Sequence, residues 1–329
     1  METAQNETIL DVKNLRTYFF TDEGVVKAVD GVSFSLKKGE ILGIVGESGS
    51  GKSVTNLSIM NLVQSPPGKI VGGEVFFHGE DILKMDSNKI RAMRGSKISM
   101  IFQDPMTSLN PFLRISTQMI ETLRLHQGLS KKEAMAKAVD MLTLAGIPDA
   151  KERIKSYPHQ FSGGMCQRVM IAMGLSCNPE ILIADEPTSA LDVTIQAQIL
   201  DIIKDLTRKF GSAVILITHS LGVVAGMCDA ICVMYAGRIV ERGSTVDIFD
   251  NPQHPYTRGL IKSVPRLDKQ NTERLFSIPG YPPNVIDLPP CCPFFPRCSE
   301  AMDICKTRYP DEKDFGNGHC AVCWKGDVK

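Results

Sequence analysis

The sequence has no hydrophobic run long enough to cross a membrane. A spanning helix needs about 20 mostly apolar residues, whereas the most apolar segments, Ala213–Ile217 and Ala230–Met234, have the length of strands. The polar, acidic start Met1–Leu10 also lacks the basic and apolar regions of a secretory signal. We therefore expect neither a membrane span nor a signal, and any link to a membrane has to pass through a partner protein.

The sequence also lacks net charge, because Lys+Arg and Asp+Glu number 37 each. Non-specific binding of nucleic acid needs a basic field, so we expect no nucleic-acid partner. The chain has 329 residues, of which 43% are hydrophobic. This length and composition suit one large domain with an appendage.

Cysteine and proline are unevenly distributed. Four of the ten cysteines lie in apolar segments, where a free cysteine usually serves as a small core residue: Cys166, Cys177, Cys228 and Cys232. The others crowd between Cys291 and Cys323, in a stretch rich in prolines that forbid long regular elements. We predict a domain at residues 1–250 and a small irregular extension at residues 251–329, whose clustered cysteines indicate metal or redox chemistry.

Strand and helix patterns alternate through residues 1–250. Predicted strands are Ile9–Phe20, Val25–Phe34, Ile41–Val45, Glu74–His78, Lys97–Phe102, Ile181–Ala184 and Ala213–Ile217. Predicted helices are Val54–Val63 and Lys131–Ala145, the second with a capping box of Ser130 and Glu133. A third predicted helix has one buried face, formed by Ile195, Ile199, Ile202, Leu206 and Phe210. The alternation predicts an α/β fold with a parallel sheet and a helical insertion at about residues 105–178.

One glycine-rich run, GESGSGKS, directly follows the apolar strand Ile41–Val45. Glycines let backbone N–H groups converge on phosphate oxygens, and the N-terminus of a following helix favours the same negative charge. We expect Lys52 to reach the β- and γ-phosphates and the Ser53 hydroxyl to bind Mg²⁺. The predicted nucleotide-binding residues are Gly46, Ser48, Gly49, Ser50, Gly51, Lys52 and Ser53.

A second motif ends the apolar strand Ile181–Ala184 in two carboxylates. Asp185 falls at the carboxyl end of the strand, where open α/β sheets bind ligands, and is predicted to hold Mg²⁺. Glu186 is predicted to orient or deprotonate the attacking water. Together with the glycine-rich run, this motif indicates a nucleotide hydrolase.

Between the two motifs, the run Phe161–Arg168 closely resembles the signature of the ATP-binding cassette (ABC) family. The resemblance implies a P-loop ATPase with a RecA-like core, an antiparallel β subdomain and a helical subdomain. In this family two cassettes sandwich two ATP molecules head to tail, so Ser162, Gly163 and Gly164 would contact the ATP of the partner. Small residues at the N-terminus of a helix suit such a second anion site.

Three further positions follow the order of the family. Gln103, after the strand Lys97–Phe102, matches the Q-loop, which senses Mg²⁺ and water. The run Ser189–Asp192 matches the D-loop at the dimer interface, with Asp192 near the nucleotide. His219, after the strand Ala213–Ile217, matches the switch histidine at the γ-phosphate.

An aromatic side chain is expected to stack on adenine. The strand end offers Tyr18, Phe19 and Phe20, and the spacing favours Phe19. Adjacent strand residues face opposite sides, so a register error of one residue changes the choice. Core packing is the competing interpretation for all three.

Longer runs look like the oligopeptide/dipeptide permease subfamily of ABC transporters: Phe102–Pro111, Met165 with Gln167–Met173, Ala190–Thr194, His254–Arg258 and Pro279–Cys323. The resemblance implies the ATPase of a peptide importer at the cytoplasmic face of the membrane. Its partners would be a second, often different, ATPase subunit, two transmembrane permease subunits and, indirectly, an extracytoplasmic peptide-binding protein. Cys166 stands where this subfamily commonly has a basic residue, which raises the prospect of thiol sensitivity.

Two other functions compete with import. A soluble cassette ATPase could serve a cytosolic assembly in phosphonate breakdown, DNA repair or ribosome work, although the chain has neither a coiled-coil insertion nor a second cassette. A plain nucleotide-binding or regulatory module is the third interpretation, and Glu186 together with His219 argues against it.

The cysteines Cys292, Cys298, Cys305 and Cys323 match those of the subfamily's extension, which in some members ligates an iron–sulfur cluster. Four thiolates suit a [4Fe–4S] cluster, and zinc is the alternative because Cys320 and Cys323 are spaced as a zinc pair. Absence of any metal stays open as well. Cys291 and Cys320 have no counterpart in the pattern, and His254 is interpreted as a turn or packing residue rather than a ligand.

Overall fold

The computed structural model describes residues 7–189, 191–264, 276–286 and 288–327. These residues form two compact units. The helix-rich unit contains Lys37–Ile41 and Lys84–Ile217, and the strand-rich unit contains the described residues of Thr8–Leu36, Leu42–Leu83 and Thr218–Lys329.

Strands and helices of the two units are numbered along the chain. The strands are β1 (Thr8–Thr21), β2 (Gly24–Lys37), β3 (Ile41–Val45), β4 (Gly68–Phe77), β5 (Glu80–Asp81), β6 (Ile98–Ile101), β7 (Ile181–Asp185), β8 (Ala213–Thr218), β9 (Ala230–Tyr235), β10 (Arg238–Ser244), β11 (Lys313–Asp314) and β12 (Cys320–Ala321). The α-helices are α1 (Lys52–Ile59), α2 (Ser87–Met93), α3 (Pro105–Ser108), α4 (Ile115–Gln127), α5 (Lys131–Leu144), α6 (Ala150–Arg153), α7 (Gly163–Leu175), α8 (Val193–Phe210), α9 (Leu221–Met227), α10 (Thr245–Asp250) and α11 (Pro255–Ser263).

The helix-rich unit is built on the parallel strands β6, β7 and β8. Ile98 of β6 pairs with Ile181 of β7, which in turn pairs with Ala213 of β8. Every residue of β7 and β8 is buried, as expected for strands covered on both faces. Helix α7 packs against α8, and α4 packs against α5. Since parallel strands end at the same edge, the carboxyl ends of β7 and β6 place their following residues side by side.

The strand-rich unit contains an antiparallel sheet in the order β2, β1, β4, β5. In the same unit β3 runs parallel to β9, with Leu42 opposite Ala230 and Val45 opposite Val233. Strand β9 pairs antiparallel with β10, and β10 pairs with the short strand β12 near the end of the chain. The extension thus adds strands beside β10, and its other described regular elements are the helix α11 and short 3-10 turns.

Several predicted elements are confirmed. Strand β3 has the predicted bounds Ile41–Val45, and an antiparallel pair of long strands precedes it, as expected. The capping box of α5 is complete, because Glu133 N donates to Ser130 Oγ and Ser130 N donates to Glu133 Oε2. Helices α3 to α7 lie within residues 105–178, and the assignment of this segment as a helical insertion stays a prediction.

Three boundaries differ from the prediction. Helix α1 begins at Lys52 instead of Val54 and ends at Ile59 instead of Val63, since Asn61 has a φ of 49° that ends helical geometry. Strand β4 begins at Gly68, well before the predicted Glu74. Helix α8 buries Ile203 rather than the predicted Ile202.

Membrane insertion has no candidate in the described part of the chain. No helix there combines the length and the apolar character that a bilayer crossing requires.

Candidate nucleotide-binding site

The glycine-rich run forms a tight loop between β3 and α1. Gly46 and Gly51 have positive φ angles of 154° and 101°. A Cβ at Gly46 would lie 2.2 Å from Met234 O, and one at Gly51 would lie 2.2 Å from Ala28 O. Both positions therefore require glycine for conformation and for space, and the loop ends at the N-terminus of α1, where phosphate groups are stabilised.

Lys52 closes this loop from within. Its side chain is buried, and Nζ donates to Gly46 O at 2.8 Å and to Glu47 O at 2.9 Å. Ser50 is buried in the same loop, whereas Ser48 and Gly49 are exposed. An ammonium group held inside a glycine-rich loop that ends at a helix N-terminus is suited to a polyphosphate.

Two residues far along the chain also contact the loop. Tyr256 Oη accepts a hydrogen bond from Glu47 N at 2.9 Å. The Arg297 guanidinium forms two hydrogen bonds to the Glu47 carboxylate, at 2.6 and 2.9 Å. No site motif identifies either residue; they lie only within the runs His254–Arg258 and Pro279–Cys323, which resemble the subfamily's extension.

The predicted carboxylates lie at the end of β7. Asp185 is the last residue of the strand and is buried. Glu186 follows with a φ of 44°, an uncommon conformation for a residue other than glycine that is often found at functional sites. The Gln103 amide, just after β6, donates from Nε2 to Glu186 Oε2 at 3.1 Å. The helix-rich unit therefore brings Gln103 to Glu186, as the predicted roles require.

The signature turn begins helix α7. Ser162 is its N-cap, and Ser162 Oγ accepts from Met165 N at 3.4 Å. Ser162 and Gly163 are exposed, and a Cβ at Gly164 would lie 3.0 Å from Ile195 Cγ2. The turn thus exposes a helix N-terminus with little side-chain cover, which suits an anion from another molecule.

Asp192 and His219 occupy similar positions at the starts of helices. Asp192 is the exposed N-cap of α8, preceding Val193, whose surface is 81% exposed. Ala190, in the same predicted D-loop, lies outside the described residues. His219 directly follows β8 and is exposed.

The aromatic candidates differ in their surroundings. Tyr18 Oη donates to Asp30 Oδ1 at 2.7 Å. Phe19 is half-buried, with its ring edge beside Gly68, whereas Phe20 is 51% exposed. Stacking of Phe19 on adenine stays a prediction.

Cys166 in the signature helix is buried, and its thiol contacts Pro158 O at 3.5 Å. Burial raises the pKa of the Cys166 thiol. A buried thiol with a raised pKa is chemically inert, so the structure argues against the expected thiol sensitivity.

Comparisons with known proteins match this arrangement. Residues 29–189 match the family model described as "ABC transporter", and residues 240–305 match "Oligopeptide/dipeptide transporter, C-terminal region". The oligopeptide transport ATP-binding protein OppD of Salmonella typhimurium is 53% identical over 96% of this chain and 93% of its own length. The chain belongs to the ABC transporter family. The dipeptide transport ATP-binding protein DppD of Bacillus subtilis is also 53% identical, over 98% of this chain and 96% of its own.

Solved structures agree with the family assignment. A dimeric ATP-binding cassette in a post-hydrolysis state with ADP and phosphate is 28% identical and superposes with a TM-score of 0.64, covering 72% of this chain and 98% of that one. The cassette cbiO1 of Clostridium perfringens, part of an ABC transporter complex, is 27% identical with a TM-score of 0.63, covering 75% and 92%. The fold is therefore the P-loop α/β fold of ABC ATPases.

The two units of this ABC chain divide the predicted residues between them. The strand-rich unit holds the loop from Gly46 to Ser53 and His219. The helix-rich unit holds Gln103, Asp185, Glu186, the signature turn and Asp192.

The four predicted cysteine ligands line one small cavity in the extension. Cys292, Cys298, Cys305 and Cys323 all face it, and its volume is about 20 Å³. Cys291 and Cys320 are not among its lining residues, and metal binding by the other four clustered cysteines stays a prediction. Burial raises the pKa of Cys292 to about 12.

A metal ion is not confirmed at this cavity. Among the described residues, no group of three or more His, Cys, Asp or Glu is arranged to hold one. The volume corresponds to about one water molecule. The donor set fits a four-thiolate site in number and chemistry, whereas the spacing of the side chains does not.

His254 is a packing residue, as the sequence indicates. It is buried, and its Nδ1 accepts a hydrogen bond from Tyr256 N at the start of α11. Burial lowers the pKa of His254 to about 3, with a smaller contribution from Arg258. The imidazole is therefore neutral at physiological pH.

Proposed function

We propose that this chain is the ATP-hydrolysing subunit that energises an ABC importer of di- and oligopeptides. The observation that carries this proposal is the 3.1 Å hydrogen bond from the Gln103 amide to Glu186, directly after the buried Asp185. A carboxylate held in this way at the end of a parallel strand is suited to orienting or deprotonating a water molecule. Relatives that transport oligopeptides and dipeptides cover nearly the whole chain and supply the substrate class.

Each predicted residue has a role in this proposal. The loop from Gly46 to Ser53 binds the phosphates of ATP, with Lys52 at the β- and γ-phosphates. Ser53, Asp185 and Gln103 would hold Mg²⁺, and the ion would neutralise phosphate charge. Glu186 takes the proton from water, and His219 contacts the γ-phosphate.

The signature turn acts on the ATP of a partner. Ser162, Gly163 and Gly164 expose the N-terminus of α7, and Asp192 stands at the start of α8 beside the exposed Val193. Exposed apolar side chains indicate a protein contact, and a structural neighbour is a dimeric cassette. We infer a head-to-tail pairing with a second ATPase subunit, which is a different chain.

Coupling to the membrane runs through other subunits. Residues 105–178 expose Met106, Phe112 and Leu125, with Phe112 87% exposed, and provide the docking surface for two transmembrane permease subunits. The chain then sits peripherally at the cytoplasmic face of the membrane, and an extracytoplasmic protein delivers peptide to the permeases.

For the extension we propose a [4Fe–4S] cluster bound by Cys292, Cys298, Cys305 and Cys323. The support is that all four cysteines line one cavity. Burial raises the pKa of Cys292, Cys298 and Cys323, and a bound metal would lower it. The cavity has to widen to admit a cluster. Zinc is the alternative, although Cys320 of the spaced pair does not line the cavity.

Metal analysis of anaerobically purified full-length protein tests this part. We expect iron and acid-labile sulfide in equal amounts, and Ser substitutions at the four lining cysteines to abolish both while Cys291→Ser leaves them unchanged. Stoichiometric zinc without sulfide would establish the alternative. Absence of any metal in protein that retains ATP binding would reject both.

Peptide uptake by intact cells tests the main proposal. The purified Glu186→Gln protein should bind ATP normally but lose ATP turnover. Cells that carry this change in the chromosomal gene should lose uptake of a labelled tripeptide. Glu180→Gln is the matched control, because Glu180 precedes the same strand β7 and pairs at the surface with Lys97. Loss of turnover with unchanged uptake of di- and oligopeptides would point to a soluble assembly instead.

A further inference from the structure

The phosphate-binding loop contains a negative charge of its own. Glu47 lies between Gly46 and Ser48, and its carboxylate accepts two hydrogen bonds from Arg297, Nη1 to Oε2 at 2.6 Å and Nη2 to Oε1 at 2.9 Å. Such a two-point contact between a guanidinium and a carboxylate is the strong, directional form of an ion pair. The Arg297 side chain is 5% exposed and that of Glu47 is 27% exposed, so water screens this pair only partly.

Arg297 itself is fixed by further contacts. Its Nε donates to Pro279 O at 2.9 Å, and Nη1 also reaches Tyr235 Oη at 3.4 Å. The guanidinium therefore has little freedom to turn toward another acceptor. The extension, where Arg297 directly precedes Cys298, presents this cation to the loop in one orientation.

Glu47 is also held through its backbone. Tyr256 Oη accepts from Glu47 N, and Lys52 Nζ donates to Glu47 O, both at 2.9 Å. Side chain, amide and carbonyl of one loop residue are thus bound by three different residues. Because Lys52 is among them, a shift of Glu47 changes the surroundings of the ammonium group that faces the phosphates.

An unpaired carboxylate in this loop would repel the ligand of the loop. ATP brings up to four negative charges, and like charges a few ångströms apart in a partly buried site repel strongly. The bidentate contact with Arg297 cancels the charge of Glu47 and holds the carboxylate against the extension.

We propose that Arg297 is a positioning residue of the ATP site, which neutralises Glu47 and holds its carboxylate against the extension. This inference rests on the proposed binding of ATP phosphates by the loop. If it is correct, the extension contributes to nucleotide affinity. Arg297 acts through Glu47 and does not contact the nucleotide.

Four variants of the full-length protein distinguish an effect of the Glu47 charge on ATP binding from a structural effect of Arg297. We expect Arg297→Met to raise the Kd for ATP about 10-fold and the Kd for ADP less, because ATP carries the greater charge. Glu47→Gln should bind ATP at least as tightly as the wild type. The double variant with both changes should return to within about threefold of wild type, and Arg297→Lys should fall between Arg297→Met and wild type.

Isothermal titration with ATP and ADP at low and high salt provides the measurement. The loss of ATP affinity caused by Arg297→Met should be smaller at high salt, since salt screens the repulsion between Glu47 and phosphate. A purely structural role predicts lower thermal stability with equal losses for ATP and ADP that do not depend on salt, and this result would overturn the proposal. Weaker ATP binding by Glu47→Gln would overturn it as well, and this variant and Arg297→Lys keep the test decisive if Arg297→Met does not fold.

Lys52→Ala in the same titrations separates this inference from the proposed function. Lost ATP binding by Lys52→Ala with wild-type binding by Arg297→Met rejects only the role of Arg297. Normal ATP binding by Lys52→Ala rejects the loop as the phosphate site, and the inference with it.

Discussion

The strands β7 and β8 and the extension after residue 276 reach a folded state in different ways. Both strands are buried along their whole length and consist almost entirely of apolar residues, so their burial follows from local composition. The extension has only short strands and 3-10 turns. It is held by individual contacts with distant residues, such as His319 Nε2 with the buried Glu241 at 2.9 Å and Phe294 against Tyr235.

The difference teaches where each kind of sequence change acts. In the strands, volume and apolar character determine stability, and the residues after the strand ends carry the proposed chemistry. In the extension, single polar partners determine how the segment is attached. Four substitutions test this contrast, beginning with the largest expected effect.

The largest effect is expected for ATP binding. Lys52→Ala removes the ammonium group of the phosphate-binding loop and should weaken ATP binding at least about 100-fold, which corresponds to about 2.7 kcal/mol. Lys306→Ala, in the extension, removes a surface pair with Asp303 and should leave the Kd unchanged. Equilibrium titration with a fluorescent ATP analogue measures both. Equal losses would show that the contrast does not extend to nucleotide binding.

The next effect concerns stability. Leu216→Ala, in the fully buried β8, should lower the free energy of unfolding by about 2–5 kcal/mol, because it removes buried methyl groups and leaves a cavity. Ile304→Ala, at an extension residue that is 37% exposed, should change it by less than about 0.5 kcal/mol. Urea denaturation followed by circular dichroism compares the two, and similar shifts in midpoint would contradict the contrast.

A third effect depends on pH. Burial lowers the pKa of His254 to about 3, below the value of about 6.5 in an unfolded chain. The folded state then binds fewer protons, so His254 contributes stability above pH 6.5 that is lost as the pH falls toward 3, by about 1.4 kcal/mol per pH unit. His254→Asn, which can still accept from Tyr256 N, should lose less stability between pH 7 and pH 5 than the wild type. Parallel urea titrations at the two pH values measure this, and identical losses would reject the assignment.

The smallest effect tests whether every ion pair of the extension matters. Arg242 pairs with Glu312 at 3.0 Å, with side chains that are 34% and 48% exposed. Exposed ion pairs contribute little to stability. Arg242→Met should therefore lower the free energy of unfolding by less than about 1 kcal/mol and leave ATP affinity unchanged. A loss as large as that of a core substitution would mean that exposure does not distinguish this pair from the pair of Arg297 with Glu47.

Much of the nucleotide machinery was predictable because its signals are local. The strand Ile41–Val45, the capping box of Ser130 and Glu133, and the loop up to Ser53 each lie within a few residues of sequence, where period and propensity determine structure. Glu186 was placed by its position after an apolar strand, and the structure adds its positive φ and the contact with Gln103. The family signature supplied roles that composition alone does not give.

The ends of helices and the contacts between distant residues were harder to predict from the sequence. Helix α1 stops early because Asn61 adopts a left-handed conformation, which the apolar period through Val63 does not reveal. The face of α8 is set by its packing partners, which favour Ile203 over Ile202. Arg297 was covered only by the broad resemblance of Pro279–Cys323 to the subfamily's extension, since its importance depends on a carboxylate that no local pattern connects with it.

Arg297 and Glu47 are separated by 250 positions, and this distance has a consequence for newly made protein. During translation the glycine-rich loop is made first, and the arginine that neutralises it is added 250 residues later. A nascent or prematurely terminated chain therefore displays a loop with an uncompensated charge and should retain nucleotide poorly. On this proposal, tight nucleotide binding requires synthesis to pass Arg297.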